Sequence, residues 1–263
     1  MQQPKSKLGD LFKERQAIKD HLANTCTIDE LSIERLKRRF REALTSATLS
    51  RMQQAAIYHE LACLVGFQGR YSEVLINMDL SAGLGMDPFA VAFSRAYLAL
   101  LNGRVMDARQ VVSNLNDALP PSSIPLLRAH QAQVGMLGDF MADNSLNNDF
   151  QQQALEAKKI ILRLGVDDLE ITKRLDAACQ LIKANVNHPL VAYKLFAKED
   201  EGILYRFMVN ASTRRLVELN ELVLDMLLDR FDDEIDRELS ILVTPWTPGD
   251  HRISEEAYRV GVL

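Results

Sequence analysis

The stretch "GFQGRYSEVLINM" (Gly66–Met78) is answered by "LLNGRVMDARQVV" (Leu100–Val112). Gly69-Arg70 and Gly103-Arg104 lie 34 residues apart, and so do Val74 and Ala108. In each copy an apolar segment at helical spacing runs up to the glycine, and a second one starts just after it. Such a glycine ends one helix and turns the chain into the next. The unit is a helix–turn–helix hairpin, and it occurs at least twice.

Working outward, the 3.6-residue period predicts a helix over 6–24, with Leu8, Leu11, Phe12, Ile18 and Leu22 on one face. Thr27 and Glu30 have capping-box spacing ahead of a helix carrying Leu31, Ile33, Leu36, Phe40 and Leu44. Further helices are expected near 50–65, 71–83, 88–102, 105–118, 123–137 and 152–163, with Pro88, Pro120, Pro121 and Pro125 at starts or connections.

The first hairpin offers Tyr58, Leu61, Ala62 and Val65, then Val74 and Met78; the second offers Ala92, Ala96 and Ala99, then Ala108, Val112 and a closing Pro120. Small residues at these places let two helices approach. Ala142 continues the step from Ala108, although the turn at Leu137–Phe140 has slipped by one residue. Over roughly residues 50–145 the pattern resembles the tetratricopeptide repeat family. Departures are Arg95 at an apolar place, Ala92 where Tyr58 is the aromatic, and Met86 where a proline is usual.

The resemblance implies a superhelix whose concave side receives a partner segment. On its frame the partner-binding positions are His59, Cys63 and Phe67, then Phe93, Tyr97 and Leu101, with Arg128 as a third-copy counterpart. An apolar and aromatic lining suits an apolar or amphipathic protein or peptide segment. The carboxylate-clamping type needs several Lys, Arg and Asn on that face, which these positions lack. The function implied is that of a non-catalytic scaffold, adaptor or chaperone-like protein.

From about Asn187 the texture changes. "HPLVAYKLFA" and "EGILYRFMVNAS" read as strands around the turn "KEDEG", and Leu239–Trp246 as a third strand. Ser212 caps a helix over 213–232 whose apolar stripe is Leu216, Leu219, Leu222, Val223, Met226, Leu227 and Phe231. The expected fold is therefore mainly α: a helical array over 1–165 followed by a small α+β module, strand–strand–helix–strand, over 166–263. A helix near 167–185 joins one or the other, which leaves the boundary between 145 and 187.

Composition narrows the partners. At 263 residues, 47% hydrophobic and 25% charged, the chain has the make-up of a globular protein. Its formal charge of −5 argues against nonspecific coating of nucleic acid. "MQQPKSKLGDLFKERQ" lacks the apolar core of a signal peptide, and no run approaches the ~18 apolar residues of a membrane span. Cys26, Cys63 and Cys179 form no disulfide or metal spacing, so the expected compartment is the cytoplasm, with no membrane partner.

The carboxylates Asp225, Asp229, Asp232, Asp233, Glu234, Asp236 and Glu238 could hold a divalent ion, but the first three recur on the helix side opposite the apolar stripe and read as a solvated face. "RLKRRFRE" (Arg35–Glu42) turns Leu36 and Phe40 inward and leaves its arginines outside. His21, His59, His130, His188 and His251 are scattered, and no phosphate-binding glycine motif is present. No cofactor, metal or catalytic residue is expected. The alternatives are an enzyme with its chemistry in the C-terminal module, or a nucleic-acid-associated regulator using Arg35–Arg41; that module could also form a homodimer.

Overall fold

The computed structural model of the chain describes residues 5–115, 119–138, 140–141, 148–190, 192–232 and 234–247. Its elements are α1 (Lys5–Thr25), α2 (Glu30–Leu44), α3 (Arg51–Phe67), α4 (Tyr71–Gly83), α5 (Pro88–Leu101), α6 (Val105–Ser113), α7 (Ile124–Gln133), α8 (Asn148–Leu164), α9 (Asp168–Ala184), β1 (Tyr193–Lys198), β2 (Gly202–Val209), α10 (Thr213–Arg230) and β3 (Leu239–Pro245). Short 3-10 turns at Pro121–Ser123 and Glu234–Arg237 complete the order. The molecule is mainly helical, an α-rich array followed by a small α+β module.

Local chemistry sets most helix starts. Ser50 and Gln53 form a reciprocal capping box on α3; Asp87 caps α5, whose first residue is Pro88; Asp167 caps α9 and Ser212 caps α10. Around α2 the expectation is corrected. Asp29, not Thr27, accepts from the Ser32 N–H at 3.0 Å, while the Thr27 hydroxyl lies 2.7 Å from that of Thr25. A carboxylate at the first turn also favours the helix dipole, which a hydroxyl does not. Leu31 points outward and is 70% exposed.

Hairpins α3/α4 and α5/α6 follow the predicted frame, with Ala62 and Ala96 fully buried where helices pack. The helix expected over 105–118 stops at Ser113, and the one expected over 123–137 spans Ile124–Gln133. Ala142 lies outside the described residues.

Helix α9 decides how the array is held. It runs along the two hairpin turns and the turn after α7, meeting Gly135 with Ile171, Gly103 with Cys179 and Gly69 with Lys183. At Gly103, where φ is +72°, a Cβ would lie 2.6 Å from the Cys179 carbonyl oxygen. Glycine is needed there twice over, for the left-handed backbone and for the approach. Polar contacts repeat the attachment. Asp176 accepts from the Met106 N–H at 2.9 Å, capping α6 from another element. Thr172 donates to the Val134 carbonyl at 2.6 Å, and Arg109 reaches Thr172 and Asp168 at 2.7 and 2.6 Å.

The other side of α9 faces the sheet, ordered β1-β2-β3, antiparallel then parallel, with α10 as the crossover between β2 and β3. Tyr193, Leu195, Tyr205, Phe207, Ile241 and Val243 form its buried face. The Tyr205 hydroxyl donates to the Ala132 carbonyl at the end of α7, 2.7 Å away. Side-chain amides plug both sheet edges: Gln153 of α8 accepts from the Ala197 N–H at 2.7 Å, and Asn220 of α10 bonds both backbone groups of Val243 at 2.7 and 2.9 Å. Edges closed this way resist further strand pairing. Helices α5–α9 and the sheet share one apolar core, while α1–α5 form a second.

Two glycines separate backbone strain from close approach. Gly103→Ala should destabilise the protein by at least about 2 kcal/mol, since it adds a clash to left-handed strain. Gly85, at φ +98° with no atom within 4 Å of its Cβ position, carries the strain alone, so Gly85→Ala should cost only about 1–2 kcal/mol. Equal losses in chemical denaturation would show that α9 does not press on the turn.

Candidate functional site

One face of α3 carries His59, Cys63 and Phe67 at four-residue spacing, and α5 sets Ser94 and Tyr97 beside them. Helix α1 reaches across this surface with Arg15 and Lys19. The Arg15 guanidinium forks onto Glu60, with Nη2 3.2 Å from Oε1 and Nε on the other oxygen. The Lys19 ammonium lies 5.8 Å from the centre of the Tyr97 ring. Beneath them His59 Nε2 meets Ser94 Oγ at 2.6 Å, and its Nδ1 is 3.6 Å from Glu60 Oε1. About 10 Å³ remains open among these groups, room for about one water.

An open groove at the predicted positions is therefore corrected. His59, Cys63 and Phe67 are buried, and Tyr97 is half-buried, because the long α1 side chains fill the space above them. Phe93 faces away from this set: it is buried, with its ring 5.8 Å from that of His130 on α7. Leu101 is buried too, and its carbonyl accepts from the Leu190 N–H at 2.9 Å. Arg128, half-buried on α7, bonds Gln131 at 2.8 Å. Four of the seven predicted positions thus line one site; Phe93, Leu101 and Arg128 serve packing between elements.

The site's charge is concentrated at Glu60. Burial opposes ionisation there, yet His59 and the Arg15 guanidinium together hold its carboxyl below the usual value. Arg15 shows the reverse: burial lowers its pKa and Glu60 more than restores it. Burial pushes the Cys63 thiol up to about 12 and the Tyr97 phenol higher still, so neither ionises near neutral pH. Ser94, His59 and Glu60 stand in the order of a nucleophile, base and acid. Ser94 is only 1% exposed inside α5, however, and the small void beside it has no space for a substrate. As arranged, the network seats α1.

Arg15, Lys19, Glu60 and Ser94 were missed by sequence reasoning. Two signals were present: Arg15 and Lys19 are four apart on one helix, and Glu60 and Ser94 share one repeat position, 34 residues apart.

A second polar cluster joins the end of α1 to the sheet. Cys26, at φ 51°, puts its sulfur 3.2 Å from His188 Nδ1, beside a cleft of about 490 Å³. That nitrogen also lies 2.8 Å from the Pro189 carbonyl and must donate to it, while Nε2 accepts from the Asn210 N–H at 3.2 Å. With its tautomer set this way, the imidazole cannot take the thiol's proton through Nδ1. Burial raises the Cys26 thiol to about 11 and lowers His188.

Elsewhere the sequence features divide. Asp225 and Asp229 are exposed on α10 and Asp232 is exposed just beyond its end at Arg230, whereas Asp236 forks onto the buried Arg174 at 2.6 and 3.0 Å and Glu238 takes Arg163 at 2.9 Å. Asp233 and His251 lie outside the described residues. Among the described residues no three His, Cys, Asp or Glu side chains are grouped to hold a metal ion. In the basic run Leu36 and Phe40 are buried as expected, Arg38 lies 3.7 Å from Glu42, and Arg39 pairs with Glu14. Leu222, expected in the buried stripe, is 42% exposed.

No family model matches the chain, and neither does any curated protein or solved structure. Among the described residues no helix is long and apolar enough to cross a membrane.

Removing the carboxylate should release α1 before the rest unfolds. In Glu60→Gln, tryptic cleavage at Arg15 and Lys19 is expected to rise roughly tenfold with the main melting transition retained, because a buried guanidinium without its partner is costly. Unchanged cleavage would contradict the assignment. Acid acts on the His188 junction. His188 and His130 are both lowered by burial, so below their ordinary value of 6.5 the unfolded chain binds protons that the folded chain does not. Stability should be complete above that pH and fall as the pH drops below 6.5, and His188→Gln should melt with a smaller acid loss.

Proposed function

We propose that this protein is a non-catalytic interaction protein with a tetratricopeptide-like array, and that an apolar or amphipathic partner segment docks on the concave face of α3 and α5. The observation that carries this reading is the helix already there. Helix α1 presents Arg15 and Lys19 to that face, and Glu60, His59, Ser94 and Tyr97 meet them. A surface that accommodates one amphipathic helix has the shape and polar complement for another.

Entry needs α1 to yield. Its hold combines buried Leu11 and Leu22 with an ion pair whose desolvation offsets much of its attraction. A segment offering its own cation to Glu60 and its own apolar surface to Phe67 and Tyr97 would replace these contacts in kind. The role is that of an adaptor or chaperone-like holder.

The reading is tested by replacing Tyr97 with a photo-crosslinking residue in the full-length protein, inside cells, and identifying adducts by mass spectrometry. A defined protein segment should be captured, and capture should rise several-fold when Arg15 and Lys19 are changed to alanine. Adducts confined to α1 in both forms would contradict the proposal.

A further inference from the structure

One imidazole, that of His188, ties the end of α1 to the rest of the molecule. Its Nδ1 donates to the Pro189 carbonyl at 2.8 Å, with the Cys26 sulfur 3.2 Å away just past the end of α1, and its Nε2 accepts from the Asn210 N–H at 3.2 Å. Asn210 in turn donates its side-chain Nδ2 to the carbonyl of Thr25, the last residue of α1, at 3.3 Å. The histidine is buried. A neutral ring, with one donor and one acceptor, satisfies this arrangement; an imidazolium, with two donors, does not. Its second proton would point at the Asn210 N–H, donor against donor.

The groups around the ring leave this conflict in place. Burial, with the Lys183 charge on α9 adding to it, holds His188 below its ordinary value of 6.5. Arg215 of α10 reaches Asn185 in the wall of the adjoining cleft, so it too opposes a second cation. Glu30, at the start of α2, lines the same cleft, but Gln68 donates to its carboxylate. Cys26 stays a neutral thiol. His21 on α1 lies 3.2 Å from the Thr27 hydroxyl, a contact that protonation keeps because a hydroxyl also accepts. In mild acid the open junction therefore binds a proton that the closed one refuses. The other fastening of α1 is insensitive over this range, since Glu60 is held below the usual carboxylate value and Arg15 above that of a guanidinium.

We propose that His188 is an acid-sensitive latch on α1: its protonation unfastens Asn210 from the end of that helix and lets α1 lift from the face of α3 and α5. Cys26 favours the same direction, because its φ of 51° is a left-handed backbone that relaxes once α1 leaves. The latch regulates access to the face read above as a docking surface and rests on that reading for its purpose. Release of α1 is measured without any partner, so either reading can fail alone.

The native cysteines, all buried, report on three places. Cys26 lies at the junction, Cys63 beneath Arg15 and Lys19, and Cys179 against Gly103. In the full-length protein, labelling by a dipyridyl disulfide, which reacts with thiols in acid, is followed site by site with mass spectrometry and divided by the rate in the denaturant-unfolded chain at the same pH. From about pH 7.5 to 5.5, labelling of Cys26 and Cys63 should accelerate together by up to about tenfold while Cys179 stays protected. His188→Gln should abolish the acceleration. Asn210→Ala, which keeps the ring and removes its link to Thr25, should label faster at neutral pH and gain less in acid. No acceleration, acceleration at Cys26 without Cys63, equal exposure of Cys179, or an acid response unchanged in either variant would overturn the proposal.

Discussion

The approach of α9 to the hairpin turns is the constraint on which the rest of the molecule depends. At Gly103 the backbone of α9 comes so near that no side chain fits between, and Asp176, Thr172 and Arg109 fasten the same contact with hydrogen bonds. In a repeat array each hairpin packs mainly on its neighbours. Here a helix laid across the turns adds a tie that spans both hairpin turns and the turn after α7. Its opposite side carries the sheet, whose Tyr205 bonds back to the end of α7. Array and module thus share an apolar core.

Rigidity at the turns contrasts with the seat of α1. There the chain places a carboxylate, a guanidinium and an ammonium under little solvent, where desolvation opposes their attraction. The charged seat fixes the register of α1, since Arg15 must meet Glu60. A firmly braced array with a separately seated α1 is what the proposed partner-binding role requires.

Periodicity and turn chemistry were legible in the chain. Gly69 and Gly103, Pro88 at a helix start, the Ser212 cap and the aromatic and β-branched texture of the strands each act within a few residues, so local pattern located the hairpins and the order of the C-terminal module. Contacts between distant segments were not legible. The course of α9 along the glycines depends on Cys179 and Ile171 meeting turns tens of residues away, and nothing in the spacing of either announces it. The face of α3 and α5 under α1 illustrates both cases. Its floor at His59, Cys63, Phe67 and Tyr97 follows from the repeat frame, while its burial depends on α1, an element outside the frame. Leu31, Leu222 and Thr27 failed differently: an apolar or hydroxyl residue at suitable spacing had a better-placed neighbour, Asp29 in the case of the cap.

Native-state hydrogen exchange would test the central claim most directly. If α9 braces the array and α1 is its replaceable cover, slow amides of α3, α5, α9 and β2 should open together with the free energy of global unfolding. Those of α1 should open at a clearly lower value, by a local event. Exchange from α9 at a lower free energy than from α3 and α5, or from α1 only with the global transition, would contradict the account.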